Sequence, residues 1–508
     1  MTVDARDIDE APPSPSAMIE SMRAFGYSLP TAIADLIDNS ITAGACRVWV
    51  HFEWNGRDSF VTISDDGSGM TEERLRDAMR LGSRSPLEQR DQNDLGRFSI
   101  GLKTASLSQC RRLTVASWVN GHDAAIRCWD LDYLSQPGVD GWNLLRRAAS
   151  GSERRLEPAK KTRSGTVVLW ELLDRVVGDA EVSDAAAQNR FLQAVRGVEE
   201  HLAMVFHRYI AGSSPALRIY LNTDDDANHV QPWDPFLEGH VATISTPEEV
   251  LSLPEGTVRV RGFVLPHKDR LDPQVHRTAA GSAGWNSQQG FYVYRNRRLL
   301  VPGSWLGLGS PRSWTKEEHY KLARIQMDIP NTMDAAWQID VRKSTARPPN
   351  SIRNRLRGLA DAVRKQAREI YAHRGSYGPR SRSEILTRLW QSATRQGLRC
   401  YRIDRRHPLV TTAMELDQDH CISNLLRLLE ETVPVQQIWL DAAEQPEDHA
   451  APFEQVADSD VRRAIEHTYE ALVAHERLSP RAAKDYLMGM EAFRDHQAII
   501  TALDDRCD

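Results

Sequence analysis

Asp35 and Asn39 lie four residues apart in AIADLIDNSITA (32–43), among the apolar Ile33, Leu36 and Ile37. On a helix the two polar residues share one face while the aliphatic side chains turn toward a sheet, so the polar face can hold a metal ion and a water. Pro30 suits a first helical turn and Gly44 an exit, so boundary chemistry supports the helix as well as periodicity. VTISDDGSGM (61–70) reads as a buried strand running into a tight glycine turn. Asp65 in that turn can accept a hydrogen bond from a ligand amine, and Gly67 and Gly69 let the backbone approach a flat base. LGRFSIGLKTAS (95–106) supplies anion contacts. Gly96 and Gly101 bracket a loop opening a helix, whose free N–H groups and positive dipole end attract phosphate, and Lys103 adds charge. Each segment alone has an ordinary reading as a solvated face, a turn or a glycine loop. Their order and compact spacing point to ATP.

In this order the three segments resemble those of the GHKL ATPases, the superfamily of gyrase B, heat-shock 90 chaperones, histidine kinases, MutL and the MORC proteins. The resemblance implies an α+β chain that starts with a Bergerat-type ATP-binding α/β sandwich and uses Mg2+. It implies that Asn39 holds the magnesium and that Asp65 reads the adenine amino group above a turn of Gly67, Gly69 and Met70. Gly96, Ser99, Gly101 and Lys103 then form the phosphate loop. Thr166 in SGTVVLWEL is similar to the threonine that backs the adenine aspartate through water, although it also reads as a plain strand threonine. Asp35 stands where the family usually carries the glutamate that polarises the attacking water. The side chain is shorter by one methylene, which implies slow hydrolysis, and Asp38 one helical turn away is a second candidate for that work. Ser99 replaces a frequent third glycine, and Thr42 stands where many members carry aspartate.

The 508 residues suffice for two to four domains with large cores. Six cysteines show no close pairing, which excludes a zinc cluster or a disulfide framework and leaves reduced thiols as the expectation. The N-terminus MTVDARDIDEAPPSPS is acidic and proline-rich, unlike a secretory signal, and no apolar run of about 18 residues is present to span a membrane. A cytoplasmic protein with no membrane partner is expected.

Downstream, LRIYLN, VRVRGFVLP and QGFYVYRNRRLL alternate as strands, and KLARIQMDIP leads to WQIDVRKSTARPP, outlining a second α/β domain. This order resembles the ribosomal-S5-like transducer domain of MutL, topoisomerase VI B and MORC. The resemblance implies that Lys343 reaches back to the ATP γ-phosphate as a second catalytic residue, although it also reads as a surface lysine. The expected plan is an N-terminal arm (1–28), an ATP-binding domain (29–225), a transducer domain (226–345), a basic helix and connector (346–408) and an acidic helical C-terminal domain (409–508). The whole is similar to prokaryotic MORC-like ATPases. That likeness implies a homodimer formed on ATP binding, a clamp or switch on double-stranded DNA, and a helicase or nuclease partner in a defence complex.

Charge is unevenly distributed, with 16 basic against 4 acidic residues over 345–408 and 8 against 21 over 409–508. Arg353, Arg357 and Arg364 are spaced for one long helix, a stripe that suits a phosphate backbone. Pairing with the acidic C-terminal region is the equal alternative. DQDH (417–420) matches a nuclease motif only superficially because Asp419 interrupts it, so Asp417 and His420 are expected at the surface or in a cap. In YRIDRRHPLV (401–410), His407 reads as a packed or capping histidine before a ligand. The helices that follow read as a partner-docking region.

Overall fold

The protein is described by a computed structural model over residues 13–24, 26–82, 101–139, 141–158, 162–212, 216–334, 336–339, 345–372, 389–395, 398–417, 419–444, 453, 456–474 and 478–503. It divides into two compact units, residues 1–368 and 369–508. Among the described residues no helix is long and apolar enough to cross a membrane.

The first unit opens with helices α1 (Pro15–Arg23) and α2 (Leu29–Thr42). Ser28 caps α2 reciprocally: its Oγ accepts from the Thr31 amide at 3.4 Å, and Thr31 Oγ1 accepts from the Ser28 amide at 3.1 Å. Pro30 lies in the first turn, and Gly44 follows the last one at φ +74°. Ile33 and Ile37 are fully buried, each contributing about 1.5–3 kcal/mol by leaving water. They face a six-stranded sheet.

Its strands are β1 (Arg47–Glu53), β2 (Phe60–Asp65), β3 (Arg112–Trp118), β4 (Ala125–Asp130), β5 (Gly165–Glu171) and β6 (Arg218–Leu221), in the order β4-β3-β5-β2-β1-β6. All neighbours are antiparallel except β1 and β6, which are parallel. LRIYLN (217–222), grouped by its alternation with the downstream strands although the expected bounds put it before residue 226, is the edge of the first sheet. A short alternating run carries no signal for which sheet it joins. Helices α3 (Glu72–Met79), α4 (Gly101–Leu107), α5 (Leu131–Leu134), α6 (Ala185–Val205) and α7 (His207–Ile210) complete this part. Its core gathers Ile33, Ile37, Val50, Ile63, Val115, Trp170, Phe191 and Leu202.

A second sheet follows with β7 (Ile244–Ser245), β8 (Glu249–Leu253), β9 (Gly256–Val264), β10 (Gly290–Arg295), β11 (Arg298–Ser304) and β12 (Ala323–Ile329), ordered β11-β10-β12-β9-β7 with β8 also on β9. Helices α8 (Pro273–Ala280) and α9 (Gly284–Ser287) intervene. β10 and β11 form a hairpin whose two-residue turn, Asn296 and Arg297, has φ of +46° and +68°. Two positive φ values match the twist of the flanking strands, as in a type I′ turn. Helix α10 (Asn350–Ala372) buries Ile352, Leu356, Ala360, Val363 and Ala367 on one face.

The second unit holds a hairpin, β13 (Trp390–Arg395) and β14 (Leu398–Ile403), and helices including Pro408–Glu415, Cys421–Glu431, Asp458–Ala474 and Pro480–Gly489. Val461, Ile465, Leu472 and Leu487 form its core. The chain is thus α+β with a largely helical C-terminal region. The Asp417 carboxylate accepts from the amides of Ile422 and Ser423 at 3.0 and 2.9 Å, so it caps a helix. His407 is packed, 2 % exposed.

Candidate active site

Helix α2 and the turn after β2 build the first half of the site. Asp65 ends β2 opposite Thr166 of β5, with 8 % of its surface exposed. Its Oδ1 accepts from the Gly67 amide at 3.0 Å, and its Oδ2 accepts from Ser40 Oγ at 2.9 Å. Burial lifts the Asp65 carboxyl above the usual carboxylate range, and the bonds from Gly67, Ser40 and the Thr166 backbone oppose that rise. Asp66, the next residue, does different work: it accepts from the amides of Cys46 and Arg47, both at 2.8 Å, and so holds the start of β1.

The glycine turn is sterically required. A Cβ on Gly67 would meet Ala43 Cβ at 2.9 Å, and one on Gly69, at φ +65°, would lie 2.0 Å from the Trp118 carbonyl oxygen. The Met70 amide donates to Ser117 Oγ at 2.8 Å, and Ser117 Oγ is 2.9 Å from Thr166 Oγ1. Ser117, absent from the expected set, therefore joins Thr166 to the turn. Only a residue pairing across β3 and β5 reveals it.

Asp35 sits more than one turn before Ser40 on α2, about 7.5 Å along the axis at 1.5 Å per residue, and near the start of α4: a Cβ on Gly101 would be 3.9 Å from Asp35 Oδ2. It is 5 % exposed, and Tyr27 Oη donates to Asp35 Oδ2 at 2.9 Å. Burial first, and the Asp35 charge second, push the Tyr27 phenol far above its ordinary value, so it stays a donor. Asp38 is 1 % exposed and paired with Arg298 of β11, whose Nε lies 2.9 and 3.1 Å from its two oxygens. This removes Asp38 as a free substitute for Asp35. Arg298 Nη2 lies 3.6 Å from Asp35 Oδ1. Asn39, one turn further along the same helix, is exposed.

Lys103 Nζ is directed at the end of α3, donating to the carbonyls of Ala78 at 2.8 Å and Arg80 at 2.9 Å. Burial brings its pKa down to about 8. Gly96 and Ser99 of the expected phosphate loop, and Lys343, lie outside the described residues. On α10 the three expected arginines part company. Arg353 donates to the Gly307 carbonyl, and Arg357 is half-buried. Arg364, 5 % exposed, is buried among the rings of Trp305, Trp314 and Tyr320 at 4.6, 4.5 and 3.7 Å from their centroids. It is a packing residue and leaves the phosphate-facing set, because α10 turns the 360/364 side toward the second sheet.

An acidic acceptor beside a glycine turn, backed by Thr166 and facing a helix that carries Asp35 and Asn39, is matched by a family model. Residues 27–166 match the histidine kinase-, DNA gyrase B- and HSP90-like ATPase family. The chain carries a GHKL ATPase domain. The chain is similar to DNA mismatch repair protein MutL of Rhodopseudomonas palustris (strain BisB5), 33 % identical over 174 residues, or 34 % of this chain and 26 % of that protein. MutL of Rickettsia akari (strain Hartford) is 26 % identical over 98 residues, 19 % of this chain and 16 % of that one. The matched part thus spans about a quarter or less of these relatives. Among solved structures, the N-terminal domain of a DNA repair protein aligns over 70 % of this chain and 98 % of its own, at 14 % identity and a TM-score of 0.40.

Proposed function

We propose that this chain binds ATP with magnesium, hydrolyses it slowly and uses the bound nucleotide as a switch acting on double-stranded DNA. The observation carrying the ATP half is Asp65: a buried carboxylate fixed by Ser40 and Gly67 above a turn into which no Cβ fits. Such a group accepts from an exocyclic amine while the bare backbone leaves room for the ring. Asn39 fits a magnesium ligand, because its exposed carboxamide makes no hydrogen bond to the other described residues and offers a neutral oxygen on the Asp35 side of α2. Magnesium bound there would neutralise phosphate charge. Asp35, fixed by Tyr27, polarises the attacking water. Gly96, Ser99, Gly101 and Lys343 contact the phosphates, whereas Lys103, expected among them, is buried with its amine on the Ala78 and Arg80 carbonyls and holds the end of α3 instead.

The DNA half is supported by the mismatch-repair relatives and by the basic α10, where Arg357, Lys365 and Arg368 retain exposed surface. The proposal extends to a homodimer closed by ATP and to a helicase or nuclease partner in a prokaryotic defence complex, both carried by the likeness to MORC-like proteins. Phosphate release with and without duplex DNA, run beside Asn39→Ala and Asp35→Ala, tests it. DNA-stimulated turnover lost in both variants supports the reading; wild-type turnover equal to that of Asp35→Ala ends it.

One observation favours a second reading, a nucleotide-sensing scaffold that regulates a partner with negligible hydrolysis. The Tyr27 hydroxyl and the Arg298 guanidinium both address Asp35. Tight ATP binding without turnover in that assay selects it.

A further inference from the structure

Arg298 opens β11 immediately after the Asn296–Arg297 turn, so it stands at the tip of a hairpin belonging to the second sheet. The tip is seated on the corner between α6 and α7. Tyr209 Oη donates to the Asn296 carbonyl, Arg297 donates to the Arg208 carbonyl, and His207 Nε2 is 2.8 Å from Tyr294 Oη. Arg208 in turn pairs with Asp328 of β12 at 2.6 Å and lies over the Tyr294 ring. The base of the hairpin is held from the other side by the buried pair of Arg295 with Asp334.

From this seat the Arg298 side chain, 3 % exposed, enters helix α2. Nε donates to Asp38, Nη1 donates to the Leu299 carbonyl at 2.9 Å, and Nη2 points at Asp35 from 3.6 Å. A cation this dry has no solvent to fall back on, so withdrawal of the hairpin breaks a buried ion pair with Asp38. The planar guanidinium also fixes direction, because one fork addresses two carboxylates a single helical turn apart. Tyr27 holds the second oxygen of Asp35. The position of Asp35 is therefore set jointly by α2, by Tyr27 and by a residue from the second sheet.

We infer that Arg298 is a positioning residue for the ATP site: through Asp38 it pins helix α2 to hairpin β10–β11, so that the Asp35 geometry depends on how the second sheet is docked. The kinetic half of this inference rests on the ATPase reading, and the mechanical half rests on the contacts alone. ATP keeps its adenine contact at Asp65 whichever way the pin is set, so the pin governs turnover and leaves affinity alone.

Full-length protein carrying Arg298→Ala, Arg298→Lys or the charge-free pair Arg298→Met with Asp38→Asn tests both halves. The charge-free pair guards against simple unfolding of Arg298→Ala, since it strands no charge. In that pair kcat falls at least tenfold, while KM for ATP and Kd for a non-hydrolysable ATP analogue stay within twofold. Arg298→Lys recovers part of kcat, and adding Asp38→Asn to Arg298→Met costs no further turnover. Hydrogen exchange read without nucleotide rises together in peptides covering residues 29–42 and 290–304. Unchanged exchange in 29–42 overturns the pin whatever the turnover, and unchanged kcat in the charge-free pair overturns the positioning role. A wild-type enzyme that binds the analogue but releases no phosphate refutes the ATPase reading instead, and exchange then decides the pin.

Discussion

Ser40 Oγ donates to Asp65 Oδ2 at 2.9 Å, tying the C-terminal half of α2 to the carboxylate that ends β2. The bond leaves Asp65 oriented, while its burial raises the pH at which it takes up a proton. A ligand amine stabilises the ionised acceptor, so affinity is full above the folded-state pKa of Asp65 and declines as pH falls through it. Because that pKa is raised, the decline starts at higher pH than for an ordinary carboxylate. Titration of a fluorescent ATP analogue across acidic pH checks this. Asp65→Asn should weaken binding by about 1.5–3 kcal/mol at neutral pH and abolish the acidic decline. An unchanged profile in Asp65→Asn removes Asp65 from the site.

Gly69→Ala should damage binding by a steric route. The added Cβ meets the Trp118 carbonyl, and a left-handed φ costs a non-glycine residue about 1–2 kcal/mol by itself. Thermal unfolding several degrees below wild type, with nucleotide binding lost, is the expected result. A wild-type midpoint with intact binding shows that the turn opens without cost.

How much of this was legible in the sequence follows from where each partner lies. Helix α2 could be read because Pro30, the 33/36/37 spacing and Gly44 are all local, and the Asp65 turn because glycines punctuate it. Ser117 and Arg298 could not, since each acts on residues far away in the chain: Arg298 and Asp38 are 260 positions apart. The hairpin turn is also disguised, because Asn296–Arg297 adopts positive φ without a glycine. Arg364 was legible but counted only as charge. It lies four residues after Ala360 and so falls on the apolar stripe of α10.

Arg364→Ala should therefore cost stability and leave DNA binding alone. Three rings around a desolvated guanidinium make this loss about 2 kcal/mol or more, read by denaturant unfolding. Alanine at Arg357, Lys365 and Arg368 should do the reverse. Each phosphate contact removed flattens the dependence of log affinity on log salt by roughly 0.9. A salt slope that changes with Arg364→Ala but not with the other three reverses the assignment.

Lys103 predicts a pH effect on folding. Its pKa is brought down from 10.5 to about 8 by burial. Between those values the folded chain has released a proton that the unfolded chain still binds, so stability contributed by this group rises with pH across that window. Compared with Lys103→Met, wild type should gain about 2 kcal/mol in relative stability from pH 7 to pH 9.5. A constant difference between the two proteins over that range contradicts a buried amine at the end of α3.

Tyr27→Phe isolates the second restraint on Asp35. The phenol is a donor at every accessible pH, and without it Asp35 Oδ2 loses a bond in a site where Asp35 is 5 % exposed. Losing one hydrogen bond to a buried carboxylate costs about 1–3 kcal/mol, so the melting temperature should drop. Because the phenylalanine ring keeps the shape of the pocket and does not touch Asp65, Kd for the ATP analogue should hold within twofold while kcat falls about tenfold, the size expected when a general base loses its orientation. A rise in kcat instead would mean that Tyr27 holds Asp35 back, favouring the scaffold reading, in which this hydroxyl is the restraint on hydrolysis.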